Sequence, residues 1–309
     1  MIICISSRHG GPHKQLGIIA KELTNQGYPA KHVYSFWQWI RLHFDTKSII
    51  ISSIPFFWIP NKKTFICNIR GDYTREKSLF KNPLAYLYSH TRKYSQHTVF
   101  PSRFLKNKLG SSDGIVIPNA ITSLPEGIQK DNEGPVRIAT VTSFDFKEKS
   151  MGVFTLLKGL AAVQTTTPFT FDIYGGGRYL ESVKKSYEEH KEYYTFPVVF
   201  HGYRKDISER LQHTDIFLYW STFDNMPNAL LEALGAGIPI IANNYGAFLE
   251  ILGDTNVLVH TTQELSESIR ALLENPSLRI QRGVQSSSQS KKFFLPIIIQ
   301  QWIHLITNL

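Results

Sequence analysis

The sequence predicts an α/β protein built from two doubly wound parallel-sheet domains facing across a cleft. Three observations predict it. Short apolar runs alternate with helix-period runs along the whole chain. Several strand-like runs empty into glycine-containing loops, as at residues 70–72 and 175–177, where open α/β sheets place their ligands. A stretch rich in Pro, Gly and charge, residues 122–135, interrupts the alternation, and a fresh buried strand starts at Val136. At 309 residues the chain has room for two domains of ordinary size. They are placed at 1–131 and 132–290, with an apolar terminal helix in 291–309.

In the first domain, strand 1–6 leads through Gly10 and Gly11 into a helix over 14–26, with Leu16, Ile19, Ala20 and Leu23 on one face and Gly27 after it. The two glycines let backbone approach a ligand closely. Strands follow at 30–34, 48–53 and 64–69. Between the first two lies Ser-Phe-Trp-Gln-Trp-Ile-Arg-Leu-His-Phe. Its Trp37, Ile40, Leu42 and Phe44 fit either core packing or a bilayer interface, where Trp beside basic residues is common. The 64–69 strand runs into Arg70-Gly71-Asp72. A helix over 82–94 and strands at 98–100 and 115–117 complete the half. In the second domain the order is strand 136–141, loop 143–150, helix 151–163, strand 169–174, then Gly175-Gly176-Gly177. Helix 178–190, a strand ending at Gly202, helix 205–213 and strand 215–219 follow. The last elements are a strand at 257–259 and a surface helix over 263–275.

Residues 1–131 hold 18 Lys and Arg against 7 Asp and Glu, whereas residues 132–309 hold 16 against 18. A basic amino half fits an anionic partner (a membrane surface, a phosphorylated acceptor or nucleic acid) or simply a solvated basic face. The sequence lacks the aromatic-basic motifs of a nucleic-acid module, so no nucleic-acid partner is expected. Cys4 and Cys67 both fall in buried strands, as core residues of a reducing cytosol. No His/Cys cluster has metal spacing. A strand opens the sequence with no basic-apolar leader before it, and no apolar run reaches membrane-spanning length. The expected location is cytoplasmic, at the inner membrane surface if the basic half meets lipid.

The densest signal runs from Asp224 to Ala242, Asp-Asn-Met-Pro-Asn-Ala-Leu-Leu-Glu-Ala-Leu-Gly-Ala-Gly-Ile-Pro-Ile-Ile-Ala. Asp224 and Asn225 can accept from the amides that open a helix, and Pro227 suits the first turn. Leu230, Leu231 and Leu234 share one face of a helix over 228–236; Gly235 and Gly237 end it, and a buried strand follows. Asp224 and Glu232 stand eight residues apart, one before the helix and one about two turns in. A helix start suits an anion, so two carboxylates beside it can hold hydroxyls of a sugar and a ribose. An Asp cap with a surface Glu fits the same residues.

This stretch resembles the acid-x7-acid signature of the family 4 retaining glycosyltransferases, with Asp224 where Glu is usual. The similarity continues to Gly246 and Glu250, and weaker matches include Pro-Ser-Arg-Phe at 101–104 and Pro-Asn-Ala-Ile at 118–121. The resemblance implies the GT-B fold, with the final helix crossing back to the first domain. It implies Glu232 on the ribose, Asp224 on a sugar hydroxyl, and the backbone of Asn225, Met226, Pro227 and Asn228 around sugar and phosphate. Lys149, with Lys147 beside it, would stabilise the departing diphosphate. The family's companion Arg is replaced by Phe144 or Phe146. Gly10, Gly11, Gly175, Gly176 and Gly202 would line the donor cleft. On the acceptor side Arg70 takes the place of a family His, and Asp72 remains as an acceptor-binding or catalytic carboxylate; an Arg70–Asp72 ion pair fits that loop equally well.

The implied reaction is retaining transfer from a UDP- or GDP-linked sugar to a glycan, lipid-linked or other hydroxyl acceptor, in cell-surface polysaccharide or glycoconjugate synthesis. It needs no metal and no cofactor beyond the nucleotide sugar. A nucleotide-sugar 2-epimerase and a binding protein without turnover use the same fold.

Overall fold

The structure, a computed structural model, describes residues 1–75, 84–124 and 134–309. The chain divides into two compact units, Met1–Ala120 with Leu295–Leu309, and Ile121–Phe294. The change of unit falls between Ala120 and Ile121; the expected boundary at 131 lies outside the described residues.

The first unit holds strands β1 (Ile2–Ile5), β2 (Ala30–Val33), β3 (Ile49–Ser52), β4 (Phe65–Asn68), β5 (His97–Phe100) and β6 (Ile115–Val116). They form one parallel sheet in the order β2-β1-β3-β4-β5-β6. Its helices are α1 (Gly11–Asn25), α2 (Phe36–Leu42), α3 (Leu84–Tyr94) and α4 (Arg103–Lys108). α1 starts three residues earlier than the sequence suggests: Gly11 and Pro12 are helical, because proline is pre-set for a first turn. α2 opens with a capping box, in which Ser35 accepts from the Gln38 N–H and Gln38 answers. That short helix divides its residues cleanly. Trp39 and Leu42 are buried, Ile40 is half-buried, and Trp37 and the following Phe44 are exposed.

The second unit repeats the plan. Strands β7 (Val136–Val141), β8 (Phe169–Tyr174), β9 (Val198–Gly202), β10 (Ile216–Tyr219), β11 (Ile240–Asn243) and β12 (Val257–Val259) form a parallel sheet. Its order is β12-β11-β10-β7-β8-β9. The order reverses between β7 and β10, the kind of switch point at which open α/β sheets bind ligands. The helices are α5 (Lys147–Ala161), α6 (Leu180–Glu188), α7 (Ile207–Gln212), α8 (Asn228–Gly235), α9 (Phe248–Leu252), α10 (Thr262–Glu274) and α11 (Pro276–Ser290). Two differ from expectation. α5 begins at Lys147, so Lys147 and Lys149 are helical rather than in a loop. α11 falls in a polar, serine-rich stretch whose periodicity is weak; Pro276 and the Asn275 side chain, which accepts from the Leu278 N–H, start it.

The final helix, α12 (Leu295–Thr307), belongs to the first unit. Its Ile298, Ile299, Trp302, Leu305 and Ile306 join one core with Ile2, Leu16, Ile19 and Leu23. That placement accounts for its apolar composition. Trp302 is fully buried, and among the described residues its indole N–H finds no partner. Trp302→Ala should therefore cost about 3–5 kcal/mol. Trp302→Phe, which also removes the unsatisfied donor, should cost far less. Urea unfolding of the two variants checks this.

Candidate active site

The site is assembled at the switch point of the second sheet. β10 ends at Tyr219, and the chain turns through Ser221 and Asp224 before α8. The Asn243 side chain, at the end of neighbouring β11, clamps this turn: its Oδ1 accepts from the Ser221 N–H at 2.8 Å and its Nδ2 donates to the Ser221 carbonyl at 2.9 Å. Asp224 is buried within the turn. Its Oδ2 accepts from the Tyr219 hydroxyl at 2.7 Å and from Ser221 Oγ at 2.8 Å. Its Oδ1 faces Lys149 Nζ at 2.5 Å. Burial, and then the Asp224 charge, push the Tyr219 phenol well above its ordinary range. It therefore stays a hydrogen donor at any ordinary pH.

Lys149 comes from α5, which follows β7. One turn on, Gly152 lets that helix press against the turn after β10. A Cβ at Gly152 would lie 2.0 Å from the Trp220 carbonyl oxygen. The close approach carries Lys149 to Asp224 and leaves Lys147 exposed on the first turn. The ammonium also lies over the Phe146 ring, 5.2 Å from its centre, and Phe146 stacks on Phe223. Phe144 is wholly buried in the unit's core. Neither Phe is an exposed substitute for an Arg.

α8 presents its first turn beside this pair. Pro227 is the residue before the helix, and no side chain caps it. This corrects the expectation that Asp224 or Asn225 would cap: Asp224 is instead committed to Tyr219, Ser221 and Lys149. Asn225 and Met226 are buried next to it. Glu232, in the second turn, is half-buried between core residues Leu231 and Ala233.

The glycine turn after β8 packs against the loop after β7. The Gly175 N–H donates to the Gly202 carbonyl, and the Phe144 N–H donates to that of Gly176, both at 2.9 Å. Gly175 has φ 136°, and a Cβ there would fall 1.8 Å from the Thr142 carbonyl oxygen; only glycine fits both constraints. Gly202 also has positive φ.

The candidates of the first unit are arranged differently from expectation. Arg70 and Asp72 do not pair. Arg70 Nη1 donates to the Ile117 carbonyl at 3.2 Å and to Asn119 Oδ1 at 3.0 Å. Asp72 Oδ1 accepts from the Thr74 hydroxyl at 2.5 Å and from the Thr74 and Arg75 N–H groups. Its Oδ2 forms an ion pair with Lys108 at 2.8 Å. Burial opposes the Asp72 charge, but Lys108, Thr74 and Arg75 outweigh it and hold the carboxyl below its usual range. These contacts tie Asp72 into the turn after β4. Gly10, φ 92°, is exposed just before α1, whose start has no side-chain cap.

Sequence reasoning missed Tyr219, Ser221 and Asn243. Their signal lay in the requirement that a buried carboxylate have donors, which draws attention to hydroxyls at the strand end just before it.

Residues 135–275 match the family described as glycosyl transferases group 1. That segment is a group 1 glycosyltransferase domain. The matched glycosyltransferase segment contains Lys149, Asp224 and Glu232. A Campylobacter jejuni N,N'-diacetylbacillosaminyl-diphospho-undecaprenol alpha-1,3-N-acetylgalactosaminyltransferase is 29% identical over 108 residues, 34% of this chain and 29% of its own length. An Escherichia coli UDP-Gal:alpha-D-GlcNAc-diphosphoundecaprenol alpha-1,3-galactosyltransferase is 26% identical over 151 residues, 42% of this chain and 38% of its own length. The chain thus spans well under half of these curated relatives. Among solved structures, Anabaena HepE in complex with UDP and glucose superposes with TM-score 0.78 at 16% identity, covering 100% of this chain and 99% of that one. A Rickettsia africae glycosyltransferase gives 0.76 at 14% identity, covering 99% and 97%. These likenesses extend the GT-B fold class beyond the glycosyltransferase domain to the whole chain.

Tyr219→Phe should cost about 1.5–3 kcal/mol, since it removes a hydrogen bond to a charged group. Lys149→Met, which strands the buried carboxylate, should cost about 3–5 kcal/mol. Urea denaturation followed by circular dichroism checks both.

Proposed function

We propose that the protein is a retaining glycosyltransferase that moves a sugar from a UDP-linked donor to a hydroxyl of a lipid-linked acceptor. The observation that carries this reading is the Lys149–Asp224 pair at the switch point, beside the uncapped start of α8. Glu232 holds the ribose hydroxyls. The N–H groups that open α8 face the diphosphate, favoured there by the helix dipole. Asp224 Oδ1 receives a sugar hydroxyl next to Lys149. Lys149 keeps two further N–H donors for the charge that grows on the leaving diphosphate. Fixed donors aimed where charge develops contribute most when water is excluded. The acceptor hydroxyl attacks from the leaving-group face, with no side-chain nucleophile. UDP as the nucleotide is supported by the HepE complexes, and a polyprenyl-diphosphate acceptor by the names of the C. jejuni and E. coli relatives. On this reading the chain works in cell-surface glycoconjugate synthesis.

An acceptor on a lipid requires the enzyme to meet a membrane. Among the described residues, no helix is long and apolar enough to cross one. The first unit instead exposes Phe36, Trp37, Phe44, Phe57 and Trp58, with Phe36 against Trp37 and Phe44 against Trp58. Exposed aromatics on a basic unit suit the headgroup region of a bilayer. Peripheral contact through this face is part of the proposal.

Glu232→Ala and Lys149→Ala should each remove most transfer of radiolabelled sugar from a UDP-sugar panel to a diphospho-polyprenol-linked acceptor. Turnover at the wild-type level by both variants would refute these roles. Sedimentation with anionic liposomes at low salt should pull down the wild type, and a Trp37→Ser, Phe44→Ser double variant far less. Equal sedimentation of the two would remove the aromatic face from the reading.

A further inference from the structure

The carboxyl end of β4 holds polar groups that the donor chemistry does not use. Asn68, the last residue of that strand, is fully buried, and among the described residues neither its Nδ2 nor its Oδ1 has a hydrogen-bond partner. Two residues on lies Arg70. The Ile69 N–H still donates to the Val99 carbonyl, and residues two apart in extended chain point to one side. Arg70 Nη1 is spent on Ile117 and Asn119. Its Nε and Nη2 are enclosed and unpartnered. Arg70 retains some surface as a residue, but its guanidinium is desolvated, which pushes its pKa down to about 9. At neutral pH it remains a cation, and among the described residues no carboxylate pairs with it.

Such a group is costly. A buried charge is ordinarily paired, and a buried polar atom without a partner calls for an occupant. The nearest acid in sequence, Asp72, is committed to Lys108, Thr74 and Arg75. The two unpartnered nitrogens, Nε and Nη2, form the edge of a guanidinium that grips phosphate or carboxylate oxygens in pairs. Asn68 adds a donor in Nδ2 and an acceptor in Oδ1, which in turn calls for a hydroxyl. An oxyanion with a hydroxyl close beside it offers a complementary partner to each of these four atoms.

We propose that the end of β4 is a second ligand site, where the Arg70 Nε–Nη2 edge binds the phosphate of a glycosyl phosphate and the Asn68 amide meets that phosphate and a neighbouring sugar hydroxyl. Asn68 and Arg70 belong to the first unit, whereas Lys149, Asp224 and Glu232 belong to the second. It deepens the proposed function by naming what the acceptor presents, yet its test does not depend on turnover.

Calorimetry on the full chain saturated with UDP uses glucose 1-phosphate as the probe, with inorganic phosphate and glucose as separate arms. Saturable binding of glucose 1-phosphate is expected, with inorganic phosphate weaker and glucose undetectable. Arg70→Lys should weaken the probe at least about ten-fold, because an ammonium cannot reproduce the two-pronged contact; Arg70→Met should abolish it. UDP affinity should not change in either. No saturable binding by the wild type, or equal binding by wild type and both variants, overturns the proposal. Inorganic phosphate binding as tightly as glucose 1-phosphate overturns the assignment of a glycosyl phosphate. Loss of UDP binding by the wild type would instead count against the donor reading alone. Should the Arg70 variants not fold, a crystal structure of the wild type with UDP and glucose 1-phosphate decides. Phosphate density against Arg70 Nε and Nη2 supports the site; density confined to the second unit overturns it.

Discussion

The second unit depends on one buried ion pair. Lys149, in the first turn of α5 after β7, and Asp224, in the turn after β10, come from strands that are neighbours in the sheet but about eighty residues apart in sequence. Each charge taken from water alone would be costly, and their attraction offsets that cost only because Tyr219 and Ser221 complete the carboxylate's hydrogen bonds. The pair thus ties α5, β10 and the start of α8 into one rigid corner. It also fixes where a positive charge and a carboxylate stand relative to a helix start.

Close backbone packing makes that corner possible. Gly152 admits the Trp220 carbonyl, and Gly175 and Gly177 admit the loop from Thr142 to Asp145. Interiors this dense leave no room for a methyl group, so these glycines determine the geometry as much as the charged residues do. Phe146, Phe223 and the alkyl stem of Lys149 form the apolar side of the same corner. The ammonium is held between a carboxylate and an aromatic face.

Much of this was legible in the sequence. Apolar runs and glycine turns located most strands and helices, since a parallel sheet buried on both faces writes itself as short apolar segments. The Asp224–Glu232 spacing and Lys149 pointed to the site. What stayed hidden depends on contacts between distant residues. No local pattern shows that Asn243 clamps Ser221, or that Arg70 turns to Asn119 and leaves Asp72 to Lys108. α11 was illegible for another reason: its polar composition lacks a strong apolar stripe, so packing and an Asn275 cap determine it more than propensity does. Capping was over-read at Asp224, where a buried carboxylate has stronger claims on it than a helix end.

The position of α12 has a consequence for how the chain comes to be folded. Trp302 and its neighbours fill the core beneath β1 and α1, yet the ribosome makes them after every residue of the second unit. The second unit can close as soon as it emerges, while the earlier-made half waits with Ile2, Leu16 and Leu23 uncovered. The first unit's core therefore cannot be completed until α12, made after the second unit, is available. The waiting half keeps that apolar surface uncovered until α12 arrives.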